Sequence, residues 1–255
     1  LHLFQSAKKG YHTLCKNYRG ISLISVAYKL MEKILLNRLI KERDSRTRDT
    51  QAGFRPGRGC VDQIFSLHQI LELRYEYRQP THIAFLDFSA AFDSVDRTSI
   101  IKLLEYDGVP PKLCRIIEAM YQRTTCEVAV YNSKTEPFEI KSGVRQGGIL
   151  SPFLFNYCVD FVLNSAFDNP SYGLKVHPSN HVLTDLTFAD DIALLSSSSH
   201  VLQQMVNQVQ IEAGKVGLVL SSAKSKYICS NDVPCHNITI DKFPMEKVDW
   251  FTYLG

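Results

Sequence analysis

Two aspartates stand side by side in an otherwise apolar stretch, Phe188-Ala189-Asp190-Asp191-Ile192-Ala193-Leu194-Leu195. A single carboxylate, Asp87, interrupts a second one, Ile83-Ala84-Phe85-Leu86-Asp87-Phe88. Two readings of the pair are open. It is a turn facing solvent, or it is a carboxylate cluster whose ionisation in apolar surroundings costs on the order of several kcal/mol per ion unless a cation compensates. Carboxylates at strand ends on different elements are the donor set of a two-metal phosphoryl-transfer site. There, two divalent cations about 3.5–4 Å apart clamp the attacking and leaving oxygens. Hard oxygen ligands suit Mg²⁺; imidazole and thiolate suit it poorly. Spacing alone does not bring residues 87 and 190 together, so the elements around them must.

Those elements are legible as patterns. Residues 22–43 read as an amphipathic helix with Leu23, Val26, Leu30, Ile34, Leu35 and Leu39 near one face. A glycine-arginine loop, 51–59, precedes a second helical pattern over 61–75. Residues 82–88 read as a buried strand. Asp96 is a candidate N-cap for a helix closed by Gly108, and Pro110-Pro111 opens the next helix. A hairpin is expected around Asn132-Ser133. A helix follows over 150–167, then strands 183–188 and 192–195 flanking Ala189-Asp190-Asp191. The pattern ends with a helix over 200–215 that buries Leu202, Val206 and Val209, and short strands at 226–229 and 237–241. Helices interleaved with hairpins predict an α+β fold with a largely antiparallel sheet, and no linker divides the chain.

At 45% hydrophobic and 22% charged residues, the composition is that of an ordered globular protein and not of a disordered tail. The apolar runs are too short to cross a bilayer and no secretory h-region opens the chain, which predicts a protein that is not secreted and has no membrane partner. The absence of an initiating Met and the stop at Tyr253-Leu254-Gly255 read as an excerpt of a longer polypeptide. Seven cysteines without a Cys-x-x-Cys pair argue against a disulfide framework and fit a reducing compartment. Cys229, Cys235 and His236 could begin a metal site, but no fourth ligand stands at zinc spacing, so buried free thiols are expected. Residues 1–60 carry thirteen Lys/Arg against four Asp/Glu, and the other 195 carry sixteen against twenty-two. A basic leading segment beside an acidic body suits a protein that grips phosphates in one place and cations in another, though a solvated basic surface would look the same.

Motif order decides between these readings. Asn17-Tyr18-Arg19-Gly20-Ile21-Ser22-Leu23 and Gln51-Ala52-Gly53-Phe54-Arg55-Pro56-Gly57-Arg58 resemble the entry and fingers motifs of LINE-type reverse transcriptases. Leu86 to Asp93 resembles palm motif A, Gly143 to Pro152 motif B, and Phe188-Ala189-Asp190-Asp191 motif C. Gly217 to Lys224 resembles motif D, and Phe251-Thr252-Tyr253-Leu254-Gly255 the primer grip. Seven matches in order identify the chain as similar to the reverse transcriptase of a non-LTR retrotransposon. Gly20 stands where the family has proline, and Gly147-Gly148-Ile149-Leu150 is a form shared with group II intron enzymes.

The resemblance implies a right-hand polymerase without its thumb. Residues 1–80 would form fingers, and 81–255 a palm with a fingers insertion at about 110–150, in one continuous domain ending at the primer grip. It implies an RNA-directed DNA polymerase core using two Mg²⁺ ions, with Mn²⁺ a possible substitute, and Asp87, Asp190, Asp191 and the Phe88 carbonyl as metal ligands. Arg55, Arg58, Phe92, Gln146, Gly147 and Lys224 would contact the dNTP, Phe92 as a steric gate against the ribose 2′-hydroxyl and Lys224 as a proton donor to pyrophosphate. Tyr253, Leu254 and Gly255 would hold the primer, and Asp93 is read as structural. RNA template, DNA primer or target and dNTPs are the implied partners, in an intracellular ribonucleoprotein of nucleus and cytoplasm. Alternatives are a group II intron maturase, an RNA-templated RNA polymerase, or a scaffold without activity. The retained aspartates disfavour the scaffold, and Phe92 disfavours the RNA polymerase. The 255 residues alone are expected to be inactive.

Overall fold

The computed structural model describes residues 2–7, 18–130, 133–167, 169, 171–176, 181–230 and 235–255. In chain order the elements are β1 (His2–Ala7), β2 (Tyr18–Leu23), α1 (Val26–Arg43), α2 (Cys60–Glu76), β3 (His82–Leu86), α3 (Ala91–Ser94), α4 (Arg97–Tyr106), α5 (Pro111–Tyr121), β4 (Thr125–Val130), β5 (Ser133–Lys134) and β6 (Phe138–Glu139). Then come α6 (Ser151–Ala166), β7 (Leu174–Val176), β8 (His181–Leu183), β9 (Asp185–Phe188), β10 (Asp191–Ser196), α7 (Ser199–Lys215), β11 (Lys226–Cys229), β12 (Thr239–Ile240), β13 (Phe243–Pro244) and β14 (Glu246–Lys247). They fall into two compact units, each made of two stretches: Leu1–Arg46 with Phe92–Cys158, and Thr47–Ala91 with Val159–Gly255. This is an α+β architecture in which most strand pairs are antiparallel.

In the first unit, β1 pairs antiparallel with β2 and parallel with β4, which also carries β5 and β6. Asn17, Cys15 and Asn132 lie outside the described residues, while Val130 and Ser133 pair across the expected turn. Asp96 does cap α4, accepting from the Ser99 amide at 2.7 Å, and Pro111 opens α5. α1 departs from expectation. It starts at a Ser25 cap, and of its expected apolar face only Leu35 and Leu39 are buried; Leu23, Val26, Leu30 and Ile34 are more than half exposed. The inward stripe is Glu32, Leu35, Leu39 and Arg43, at helical spacing i, i+3, i+7, i+11. Glu32 reaches the Ile149 amide at 2.8 Å, and Arg43 pairs with Asp107 at 2.6 Å while covering the Tyr157 ring. Two satisfied polar residues therefore set the helix's rotation against its apolar periodicity.

In the second unit a five-stranded sheet runs β14-β11-β3-β10-β9, antiparallel except at β11–β14. On one face Ile83, Phe85, Leu186, Ala193 and Leu195 join Leu67 and Ile70 of α2 and Leu174 in one core cluster. α7 packs against β3 and β10 and buries Leu202, Met205, Val206 and Val209. The central strand β3 is thus covered on both faces, which is why all five of its residues are buried and why Ile83 to Leu86 read as an unbroken apolar run. Each such side chain contributes roughly 1.5–3 kcal/mol of burial. β3 ends at Leu86, short of the expected 88, and Leu183 belongs to β8, paired with β7. The expectation of free thiols fails at one place: Cys229 and Cys235 form a disulfide. β11 ends at Cys229 and the chain returns to within 6.3 Å between Cα atoms, inside bridging range. Cys60, Cys114, Cys126 and Cys158 carry thiols outside any disulfide.

Candidate active site

Antiparallel pairing explains how residues far apart in sequence meet. Ile192 pairs with Leu86 in the β10–β3 ladder, so extending that register by one residue sets Asp191 across from Asp87. The C-terminal end of the central strand and the N-terminal start of its neighbour share one end of the sheet. Phe188 pairs with Asp191, leaving Ala189 and Asp190 as a two-residue hairpin turn. The three candidate carboxylates therefore converge.

The turn is held from outside its own hairpin. Ala189 has φ 56°, a left-handed conformation that costs a non-glycine residue roughly 1–2 kcal/mol. Its amide donates to Gln51 Oε1 at 3.0 Å, and the Gly53 amide donates to the same oxygen at 2.8 Å. Gln51 is fully buried. Residues 50–52 lie along β9 as an added edge, with the Thr187 amide donating to the Thr50 carbonyl at 3.0 Å and the Ala52 amide to the Thr187 carbonyl at 2.9 Å. Gly53 then crosses so close that a Cβ there would stand 2.3 Å from the Ala189 nitrogen. Beneath the turn, Asp185 is buried, paired with Arg48, and accepts the hydroxyls of Thr50 and Thr187 at 2.9 Å each and of Thr184 at 2.7 Å. The sequence reading missed Arg48, Gln51 and Asp185. A signal was present: Asp185 and Thr187 alternate with apolar residues into the turn, placing polar side chains on one face of a strand.

Asp87 is held by the stretch 219–225. Its carbonyl accepts from the Ser221 amide at 2.9 Å, its own amide donates to Ser225 Oγ at 3.1 Å, and Ser89 donates to the Val219 carbonyl at 2.8 Å. These bonds flank a bridge between Phe88 and Leu220, so the Phe88 carbonyl takes no part in that pair. Lys224 Nζ lies 2.8 Å from Asp87 Oδ1. Burial, and then the charges of Asp190 and Asp87, raise the Asp191 carboxyl above its ordinary range although the residue reaches solvent. Burial with like charges beside it disfavours the ionised form of Asp191 unless a cation compensates. Oxygen-only donors with surplus negative charge fit a hard divalent cation, so the residues present suit a metal of that class.

A sequence profile described as reverse transcriptase (RNA-dependent DNA polymerase) matches residues 6–255. The chain belongs to the reverse transcriptase family. It is 31% identical over 261 residues to a retrovirus-related Pol polyprotein from the type-2 retrotransposable element R2DM of Drosophila melanogaster, covering 94% of this chain and 23% of that protein. It is 27% identical to the corresponding R2 polyprotein of Nasonia vitripennis, over 90% of this chain and 21% of that one. These relatives are non-LTR retrotransposon proteins, and the chain spans less than a quarter of each. A telomerase of Candida tropicalis, solved in complex with a fragment of telomeric RNA, superposes with a TM-score of 0.65 at 12% identity, over 94% of this chain and 42% of that one, a likeness of fold. Membership of the family implies dependence on a divalent metal.

The remaining reverse transcriptase motif residues divide between the units. In the second, Arg55 donates to the Arg48 carbonyl at 3.1 Å and Arg58 is exposed. Tyr253 packs on Phe85 and donates to the Leu186 carbonyl at 3.3 Å. Burial and the charges of Asp191 and Asp185 raise its hydroxyl's pKa. Leu254 and Gly255 follow at positive φ. In the first unit, Phe92 is half-buried and stacked on Phe155 at 4.7 Å, and its carbonyl accepts from Val144 at 2.7 Å. Gln146 Nε2 donates to both oxygens of Asp93, at 3.0 and 3.1 Å, while its carbonyl accepts from the Ser22 amide at 2.8 Å. Gly147, at φ 106°, passes so near Ser22 that a Cβ would lie 2.9 Å from that residue's carbonyl oxygen.

Proposed function

We propose that this chain is the fingers-and-palm core of an RNA-directed DNA polymerase that adds dNTPs to a DNA primer on an RNA template. The observation carrying the proposal is the convergence of Asp87, Asp190 and Asp191 at one end of a sheet buried on both faces. Two Mg²⁺ ions held there by those carboxylates and the Phe88 carbonyl would supply activation of the primer hydroxyl and charge stabilisation of the leaving pyrophosphate. The protein's own contribution is position. The β9–β10 turn, clamped by Gln51, fixes Asp190 and Asp191, and the stretch 219–225 fixes Asp87. Lys224, already beside Asp87, would deliver a proton to pyrophosphate.

Arg55 and Arg58 supply guanidinium forks for the triphosphate, and Phe92 crowds a ribose 2′-hydroxyl. Gln146 and Gly147 lie against the incoming base pair, and Tyr253 to Gly255 support the primer strand. The R2 proteins are retrotransposon polyproteins, which supports an intracellular ribonucleoprotein setting in which most of the polypeptide lies outside this core. The test is Asp190→Asn in the full-length polypeptide. Mg²⁺-dependent dNTP incorporation on a primed RNA template is expected to disappear; synthesis at the unsubstituted rate overturns the metal role.

A further inference from the structure

At the end of β3 remote from Asp87, three soft ligand groups come together outside the polymerase site. The ladder sets Cys229 of β11 opposite His82, and Cys235 returns beside Cys229. One ligand atom from each of His82, Cys229 and Cys235 lies within 4.8 Å of the others. His82 is 1% exposed, and neither ring nitrogen has a hydrogen-bond partner among the described residues. Native proteins rarely leave a buried imidazole so. Burial, with the nearby charges of Lys247 and Arg74, holds its pKa down, which keeps the ring in the neutral form that ligates metals. His236, adjacent in sequence, is exposed and not one of the three.

We propose that in the reduced chain His82, Cys229 and Cys235 bind one Zn²⁺, with water as fourth ligand. The disulfide is the oxidised form of the same site. A small cellular thiol reduces it: two such thiols form their own disulfide and give two electrons and two protons, leaving Cys229 and Cys235 as thiols. Zn²⁺ then displaces both thiol protons to solvent. Two thiolates and a neutral imidazole are the soft donor set zinc takes at about 2.0–2.3 Å, and their charges cancel the ion's. The site is a structural tie. It lies five residues along β3 from Asp87, roughly 17 Å at strand rise, and it would join β3, β11 and the segment after β11.

The chain, purified without oxygen in a phosphine reductant, is titrated with Zn²⁺ against a chromogenic chelator and separately with Co²⁺. One tight equivalent is expected, with thiolate-to-cobalt charge-transfer bands in the near ultraviolet and a Tm raised by several degrees. Cys235→Ser and His82→Asn should each weaken binding at least tenfold, whereas Cys60→Ser should not. Circular dichroism checks the fold of each variant. Absence of a stoichiometric equivalent in the unsubstituted chain, a cobalt spectrum without thiolate bands, or Zn²⁺ affinity unchanged in folded Cys235→Ser or His82→Asn overturns the proposal.

Discussion

Gly53→Ala tests whether the β9–β10 turn, which carries the proposed catalytic pair, is positioned by the segment that crosses it. A Cβ at residue 53 would lie 2.3 Å from the Ala189 nitrogen and 2.9 Å from both Ala189 Cα and the Phe188 carbonyl carbon, against 3.4 Å for an ordinary contact. Those neighbours are backbone, so no side-chain rotation relieves the clash. The turn must retreat by about 1.1 Å along the closest approach, or the 51–53 strand must peel off and surrender the two bonds to Gln51 Oε1. Overpacking of this kind costs about 1–3 kcal/mol of stability. Displacing reacting groups by about 1 Å costs on the order of 10²-fold in rate. Primer extension on an RNA template should therefore lose about two orders of magnitude in kcat, with a lower urea midpoint. Gly59→Ala is the control: its added Cβ meets nothing nearer than 3.9 Å, and its φ of −148° suits any residue. If Gly53→Ala polymerises within threefold of the unsubstituted protein, the segment does not set the turn's position and the geometric argument is wrong.

Asp191→Asn separates stability from function. Because the fold raises the Asp191 pKa, the folded chain binds a proton more readily than the unfolded one. This group's penalty is therefore present above its folded pKa and disappears as pH falls through that value toward the ordinary carboxylate range. In metal-free buffer at neutral pH the Asn variant should be more stable, by the order of 0.5–1 kcal/mol appropriate to a solvent-screened charge interaction. It should also lose the corresponding slope of urea midpoint against pH, and its polymerase activity. A variant no more stable than the parent would show that neither burial nor the neighbouring carboxylates penalise the ionised Asp191 appreciably. Asp185→Asn should behave oppositely, losing about 3–5 kcal/mol because it leaves the Arg48 guanidinium with a neutral partner in a buried pocket; a loss below about 1 kcal/mol in urea titration would count Asp185 out as a support.

The candidate aspartates stood out locally, as carboxylates at the end or at the turn of apolar strands, but that pattern left a solvent-facing turn open, and it was the order of the motifs along the chain that singled them out. Their supports were not legible. Gln51 stands in the same glycine-arginine loop that suggested phosphate contacts, but nothing local says that its oxygen will accept the Ala189 amide across the fold. α1 shows a related limit. Periodicity finds an apolar face but does not say that anything covers it, and here Glu32 and Arg43 found partners that turned other residues inward. The cysteines misled for a third reason. Two cysteines six residues apart, with no Cys-x-x-Cys pair in the chain, do not say that the chain returns after β11 to close a disulfide between Cys229 and Cys235.

The distribution of charge around the aspartates bears on how the proposed site would take up a metal. The structure places Arg48 on Asp185, beneath the turn, where three threonine hydroxyls complete the carboxylate's bonds. The turn itself is held by a neutral amide side chain, Gln51. A guanidinium in the place of Gln51 would have added a fixed positive charge at the turn and lowered its affinity for a divalent ion. Gln51 fixes the turn without adding charge to it, so the burial and then the carboxylate repulsion that raise the Asp191 pKa favour a cation that relieves them. Lys224 pairs with Asp87; it is exposed and on a flexible stem, a charge that can move aside from Asp87 as metal enters.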